Sequence, residues 1–276
     1  MERLRGKYLH PPEARMGIRR KLVMAIALLC AGIVGCAPMN LNATASSVSF
    51  IAAKPKHEIA IPVLSYHSIG VEPGNTYVLP PDVFLRQMDD LAAQHYTPLT
   101  LEQFMSILEH KQAPPLKPVL LTFDDGYANN AEVALPILKR HGFPATLFLS
   151  TGAVGQPGYV SWKQVQELAA AGWDIMPHGM THPHLPQLSI DKQREEIKES
   201  RHLIEQQLGH RADVFAYPYG EYNEATKKIL KDAGFRYGFT TQEGWASSDQ
   251  SPLELKRLVV HAEEDFKTWI RRLAKR

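Results

Sequence analysis

"KPVLLTFDDGYANNAEVALPILKRHGFPATLFLS", Lys117 to Ser150, reads as one strand–helix–strand unit. Val119 to Phe123 is apolar except for Thr122, the pattern of a strand buried on both faces. Asn129 to Gly142 carries a helical pattern closed by glycine, and "FPATLFLS" is a second strand. That order implies parallel strands with a covering helix. Asp124 and Asp125 end the first strand, and no Lys or Arg lies between Lys117 and Lys139 to neutralise them. Most adjacent acid pairs are a helix cap with a solvated neighbour. Leaving a strand this apolar, at least one of these faces inward, and a buried charge without a partner is costly. A metal cation or another partner is expected.

The same alternation continues on both sides. Strands are expected at "IPVLSYH" (Ile61–His67), "WDIMPHG" (Trp173–Gly179), "DVFAYPYG" (Asp213–Gly220), "FRYGFTT" (Phe235–Thr241) and "LKRLVV" (Leu255–Val260). Helices are expected over Pro81–Tyr96, Leu99–Lys111 with Thr100 as N-cap, Ser161–Gly172, Leu188–Gly209, Asn223–Gly234 and Glu264–Arg276. Either an α/β barrel or a doubly wound sheet gives this pattern. No phosphate-binding glycine loop follows the first strand, and about seven units favour the barrel. In barrels the chemistry gathers at the C-terminal strand ends. Tyr66–His67, Asp124–Asp125, Ser150, His178–His182 and Tyr217–Tyr219 all fall there.

"PHGMTHPH" places His178, His182 and His184 within seven residues. A lone histidine is usually a core or surface residue; three so close are better explained by metal ligation, with core or surface placement as the other reading, and imidazole suits zinc and related ions. His182 precedes Pro183, which favours an extended backbone and so a loop. Two histidines and one aspartate leave positions open, as catalytic sites do, and the expected domain has no cysteine for a closed structural site.

The chain has 276 residues, 44% hydrophobic and 22% charged, with a formal net charge of +2. Seven bases and two acids fall in the first 35 residues; the rest holds 24 bases and 27 acids, so no nucleic-acid footprint is expected. "GIRRK" followed by thirteen apolar residues, Leu22–Val34, has the layout of an export signal, too short for a span of about 20 residues. "IVGC" resembles a bacterial lipoprotein signal that lipidates Cys36. An ordinary signal cut after Ala43–Ala45 and an uncleaved anchor are the other readings, and translation starting at Met16 would leave the signal intact. Only Cys30 and Cys36 exist, so no disulfide is expected in the domain. The expected organisation is a leader over 1–35, a tether over 36–58 and one domain over 59–276.

"TFDDG" (Thr122–Gly126) together with "HGMTHP" (His178–Pro183) resembles the polysaccharide deacetylase family, the NodB-homology domain of family 4 carbohydrate esterases. The resemblance spans roughly Ile61 to Trp269. It implies a distorted (β/α) barrel and the removal of acetyl groups from N-acetylglucosamine polymers such as biofilm poly-N-acetylglucosamine, peptidoglycan or chitin-like glycans. Carried over by motif, Asp124 is the general base on a metal-bound water. Asp125, His178 and His182 hold a divalent metal, zinc first and cobalt, nickel or manganese otherwise. In "FAYPYG" Pro218 and Tyr219 match, and the Tyr219 backbone N–H stabilises the oxyanion. Ala216 stands where the family has the arginine that steadies the base, and Arg257 on the last strand is the expected substitute. His261 in "LVVHAEE" is the candidate general acid, with His67 as the second candidate and a pocket residue toward substrate. Should "LKRLVV" be the arginine-bearing strand, His261 is expected beyond the pocket. His184 reads as an outer residue; Trp162, Trp173 and Trp245 read as core, with sugar stacking as the other option. The implied partners are an acetylated polysaccharide and, through the lipid, a bacterial membrane, with no nucleic acid and no evident protein partner. An O-acetyl-xylan-type esterase and a non-catalytic glycan-binding lipoprotein are the alternatives.

Overall fold

A computed structural model describes residues 58–274 of the protein. The expected leader, Cys36 and the tether up to residue 57 lie outside the described residues. Seven parallel strands build the sheet: β1 (Val63–Tyr66), β2 (Pro118–Asp125), β3 (Thr146–Leu149), β4 (Asp174–Pro177), β5 (Val214–Ala216), β6 (Tyr237–Glu243) and β7 (Leu255–Val259). Their spatial order is β4-β3-β2-β1-β7-β6-β5, with a two-residue strand, Thr97–Pro98, pairing beside the start of β2. The sheet curls into a distorted (β/α) barrel. Its end strands β4 and β5 lie against each other, but the ladder pairs each of them with only one neighbour, so a seam remains.

Helices α1 (Pro81–Ala93), α2 (Leu101–Leu108), α3 (Leu135–His141), α4 (Trp162–Ala170), α5 (Ile190–Leu208), α6 (Glu224–Asp232) and α7 (Phe266–Ala274) accompany the strands. Their starts are chemically marked: Thr100, Ser161 and Asn223 each form reciprocal capping boxes, with Gln103, Gln164 and Thr226. None of the described helices is long and apolar enough to cross a membrane.

The pleat of β2 decides what faces where. Phe123 packs outward against Trp173, Tyr66 and Phe84, with ring centroids 4.8, 5.4 and 5.9 Å away. Period two then turns Thr122 and Asp124 to the interior, where both meet Arg257. Trp173 is thus core, and Trp162 and Trp245 pack partly buried against the same cluster.

Two expected elements differ. The helix over Asn129–Gly142 opens as a π-helical turn, Asn130–Ala134, before α3 begins. At this turn Asn129 bonds the Ile69 N–H and Ser68 Oγ, while Asn130 donates to the His67 carbonyl at 2.7 Å. Wide turns of this kind often mark functional sites. The strand expected to end at Thr241 continues to Glu243, and its register against β7 shifts between Phe239 and Glu243. Irregular pairing of this sort re-aims side chains, and here it lies beside Arg257.

Candidate active site

Asp124, the last residue but one of β2, is 2% exposed and meets a fully buried Arg257. The guanidinium grips both carboxylate oxygens, Nη1 to Oδ1 at 2.8 Å and Nη2 to Oδ2 at 2.7 Å. Arg257 is itself fixed: Nε donates to the Thr240 carbonyl at 3.0 Å, and its Cζ lies 5.6 and 5.9 Å from the ring centroids of Phe148 and Phe239. Ser65 Oγ adds a weaker contact to Oδ2 at 3.3 Å. Burial pushes the Asp124 carboxyl up, but the charge and hydrogen bonds of Arg257, with help from His178 and His67, hold it well below the usual carboxylate range.

Asp125 faces a different environment one residue later. The chain turns sharply there, with φ 74° at Asp125 and 92° at Gly126. His182 and Tyr219 also hold left-handed backbones, with φ of 56° and 58°. Such positions are costly for non-glycine residues and collect at functional sites. Asp125 Oδ1 lies 3.5 Å from His178 Nε2 and 3.4 Å from His182 Nε2. That oxygen is buried and has no hydrogen-bond partner among the described residues.

His178 reaches across the barrel seam. Its Nδ1 donates to the Ala216 carbonyl on β5 at 2.8 Å, because a carbonyl can only accept. This fixes the tautomer and leaves the Nε2 lone pair toward Asp125, the orientation a metal-binding imidazole needs. Burial lowers the pKa of both His178 and His182, which favours the neutral ligand form. One donor atom from each of Asp125, His178 and His182 can be chosen so that all three lie within 4.8 Å of one another. Without a cation, burial pushes the Asp125 carboxyl up to about 6, His178 opposing and Asp124 adding to it. A divalent ion among these three groups removes that penalty, so the residues present fit a metal of the nitrogen–oxygen type.

The loop bearing His182 is held by Glu196 on α5. Its carboxylate accepts from the Met180 N–H at 2.7 Å, the Thr181 N–H at 2.9 Å and Thr181 Oγ1 at 2.7 Å. Opposite, Gly220 (φ 72°) allows the Pro218–Gly220 turn to pass close to Thr241, since a Cβ there would sit 2.1 Å from Thr241 Oγ1. Tyr219 is half exposed on this turn and stacks on His184 at 3.9 Å. His184 bonds Glu221 at 2.9 Å and stays outside the three-donor cluster.

Both candidate proton donors line a cavity of about 430 Å³ that also contains Asp124, Asp125 and His178. His67 Nε2 is 3.9 Å from Asp124 Oδ2, and its ring packs 4.8 Å from that of Tyr77. His261 lies on the other side of Tyr77, ring centroids 5.6 Å apart, with Nδ1 3.2 Å from Thr76 Oγ1. His261 therefore lines the cavity although β7 is the arginine-bearing strand; the expectation that this register would carry it beyond the pocket is corrected. The backbone turn after Val259 returns the chain over the Thr76 loop, where the Ala262 N–H bonds the Thr76 carbonyl.

Glu196, Asn129, Asn130 and Ser65 were not singled out from the sequence. Only the paired asparagines right after "TFDDGY" offered a local signal.

The chain matches the family model described as polysaccharide deacetylase over residues 111–238. It is 30% identical over 263 residues to YxkH of Bacillus subtilis (strain 168), which is assigned by name to the polysaccharide deacetylases; the match covers 87% of this chain and 94% of that one. It is 28% identical to a poly-beta-1,6-N-acetyl-D-glucosamine N-deacetylase of Staphylococcus epidermidis, over 91% of this chain and 96% of the relative. Among solved structures it resembles the Streptococcus pyogenes deacetylase PplD in complex with acetate, with TM-score 0.75 and 31% identity over 79% of this chain and 99% of that one. IcaB from Ammonifex degensii matches with TM-score 0.66 and 26% identity, over 78% of this chain and 96% of that one.

Proposed function

The chain belongs to the polysaccharide deacetylase family, and we propose that it hydrolyses the acetamide of N-acetylglucosamine units in a polysaccharide outside the cytoplasm, using a bound zinc ion. One observation carries the reading: Asp125 Oδ1, buried without a hydrogen-bond partner between two histidine nitrogens, stands beside an aspartate locked in its ionised form by Arg257. When bound at Asp125, His178 and His182, a divalent cation supplies Lewis acidity toward water and the acetyl carbonyl.

The protein groups divide the remaining work. Asp124 accepts the proton of the attacking water, and Arg257 keeps that carboxylate ionised and aimed. The Tyr219 N–H is the donor assigned to the developing oxyanion. His67 is the proton donor to the leaving nitrogen, because of the two candidates it is the one in contact with Asp124. Burial pushes His67 down to about 4, so it enters the cycle neutral. The proton removed by Asp124 is the one the leaving amine requires, and passage through His67 closes the cycle without a net change. Proton transfer of this kind contributes about a hundredfold to ten-thousandfold. Accordingly, His67→Asn is expected to lower kcat by about a hundredfold and His261→Asn by only a few-fold. The reverse ranking in steady-state assays would move the acid to His261.

The missing motif arginine at Ala216 was the one feature favouring a non-catalytic glycan-binding protein, and the Arg257 fork supports catalysis instead. Acetate release from N-acetylglucosamine oligomers by the zinc-loaded protein, with acetylated xylan alongside, tests the reading. Release from xylan alone would make it an O-acetyl esterase, and bound metal with no release from any glycan would make it a binding protein.

The basic and apolar leader ending in "IVGC" supports export and lipid anchoring at Cys36. Full-length protein is expected in the membrane fraction and Cys36→Ser protein in the soluble fraction; equal partitioning of the two would reject the anchor.

A further inference from the structure

The three donors of the cluster are not equally well founded in the sheet. Asp125 ends β2, and His178 follows β4 directly, its N–H still bonded to the Leu149 carbonyl of β3 at 3.0 Å. His182 lies further on, in a stretch that belongs to no helix or strand. Its backbone is left-handed, φ 56°, and the next residue is a proline with no N–H to tie the loop down. Holding each such residue in one conformation costs free energy, so a ligand carried here needs support from elsewhere.

Support comes from two sides. After β3, the Thr151 N–H donates to the Gly179 carbonyl at 3.2 Å and the Gly152 N–H to the Met180 carbonyl at 2.8 Å. Glu196 of α5 takes the groups that point the other way: Oε2 accepts both the Met180 and Thr181 N–H groups, and Oε1 accepts Thr181 Oγ1. Gly179 leaves room for the carboxylate, since its φ is 77° and a Cβ there would stand 3.3 Å from Glu196 Oε2. The acids around Glu196 on the same helix are used differently. Asp191, Glu195 and Glu205 pair with Arg194, Lys192 and Arg201, whereas Glu196 forms no ion pair among the described residues. Its whole hydrogen-bonding capacity goes to the loop. The helix face that carries it is firm: Gln193, Ile197 and Ser200 are buried beside it, and Gln193 Oε1 accepts from Thr226 Oγ1 at 2.7 Å.

We propose that Glu196 is a positioning residue for the metal: it holds the Gly179–Thr181 loop in the course that presents His182, so that the affinity for the cation is set from α5, outside the ligand set. This rests on the metal-dependent deacetylase reading and deepens it. Without the carboxylate, the loop is ordered only when the ion binds, and part of the binding free energy is lost to that ordering.

The experiment titrates zinc into metal-free protein against a chromogenic chelator and follows thermal unfolding of the same samples. Glu196→Ala is expected to weaken zinc binding by about ten- to a hundredfold, the range for groups that orient a metal ligand. Glu196→Gln keeps an oxygen for the two N–H groups and offers its amide to Thr181 Oγ1, so it is expected to recover most of that loss. Thr181→Val removes one of the three bonds on an exposed side chain and is expected to fall between the two. The zinc concentration for half-maximal acetate release moves by the same factors, with turnover restored at saturating zinc. Wild-type zinc affinity in Glu196→Ala, with only the Tm of the metal-free protein lowered, would make the residue merely structural and overturn the proposal. A Glu196→Gln protein as weak as Glu196→Ala would also overturn it, because charge and not loop geometry would then govern. If Glu196→Ala does not fold, Thr181→Val decides: weakened binding supports the clamp and wild-type affinity overturns it. Each of these failures leaves the deacetylase reading intact, whereas a wild type that binds no zinc would overturn both.

Discussion

Replacing Asp124 with asparagine is expected to lower kcat/KM by about a thousandfold or more while the protein still binds one metal ion, because general-base catalysis contributes about 10²–10⁴. Asparagine keeps the shape and loses the proton acceptor. The three ligand atoms belong to other residues, so metal content should hold. Arg257→Ala is expected to fall nearly as far by a different route. Its guanidinium and the Asp124 carboxylate are a buried pair, 0% and 2% exposed, and neither can turn to water. Removing one member of such a pair costs roughly 3–5 kcal/mol, which in a domain of this size lowers Tm by roughly 6–20 °C. Arg257→Lys separates charge from geometry: a single ammonium replaces the charge but cannot match the fork that meets Oδ1 and Oδ2 together. It should recover more Tm than turnover. Because both variants break one interaction, the Asp124→Asn/Arg257→Ala protein should lose far less than the sum of the single losses. Steady-state kinetics, metal analysis and thermal unfolding of the four proteins check this. Wild-type turnover in Arg257→Ala would remove Arg257 from the site.

That pair also shows where sequence reading works and where it stops. The β2 strand was legible because a parallel strand buried on both faces has a continuous apolar run, and the helix starts were legible because capping chemistry is local. The three-donor cluster was legible because His178 and His182 fall within one loop and Asp125 at the end of the most apolar strand. Arg257 needed topology as well: the Ala216 vacancy in the motif asked for a partner, and barrel closure brings β7 beside β1, two strands from Asp124. Glu196 had no such signal. It is one carboxylate among several in "DKQREEIKES", and only the packing of α5 beneath the His182 loop distinguishes it from its solvated neighbours. The ranking of His67 over His261 was likewise out of reach, since both follow strand ends and only the structure shows His67 Nε2 3.9 Å from Asp124 Oδ2. The π-helical turn at Asn130 escaped because helical periodicity does not register one extra residue per turn, although "NN" at its start is what ties down the His67 loop.

Stripping the metal is the second large effect expected, and it separates Asp125 from its neighbour. Metal bound to the folded chain at about a thousand times its Kd stabilises by roughly 4 kcal/mol, so chelation should lower Tm by roughly 8–16 °C for a domain of this size. Turnover should vanish with the metal and return on adding zinc; cobalt, nickel and manganese, tried in turn, rank the site's preference. Asp125→Ala, His178→Ala and His182→Ala should each behave as the chelated protein does, showing little further Tm loss on chelation, whereas Asp124→Asn should still respond fully. The contrast follows from the turn at the end of β2. One carboxylate is already satisfied by a guanidinium within the protein, and the next leaves a buried oxygen with no hydrogen-bond donor among the described residues. If Asp125→Ala bound metal as tightly as wild type by calorimetry, that oxygen would need another explanation. If chelation left both Tm and turnover unchanged in wild type, the cluster would not be a metal site, and the adjacency of the two aspartates would lose its chemical reason.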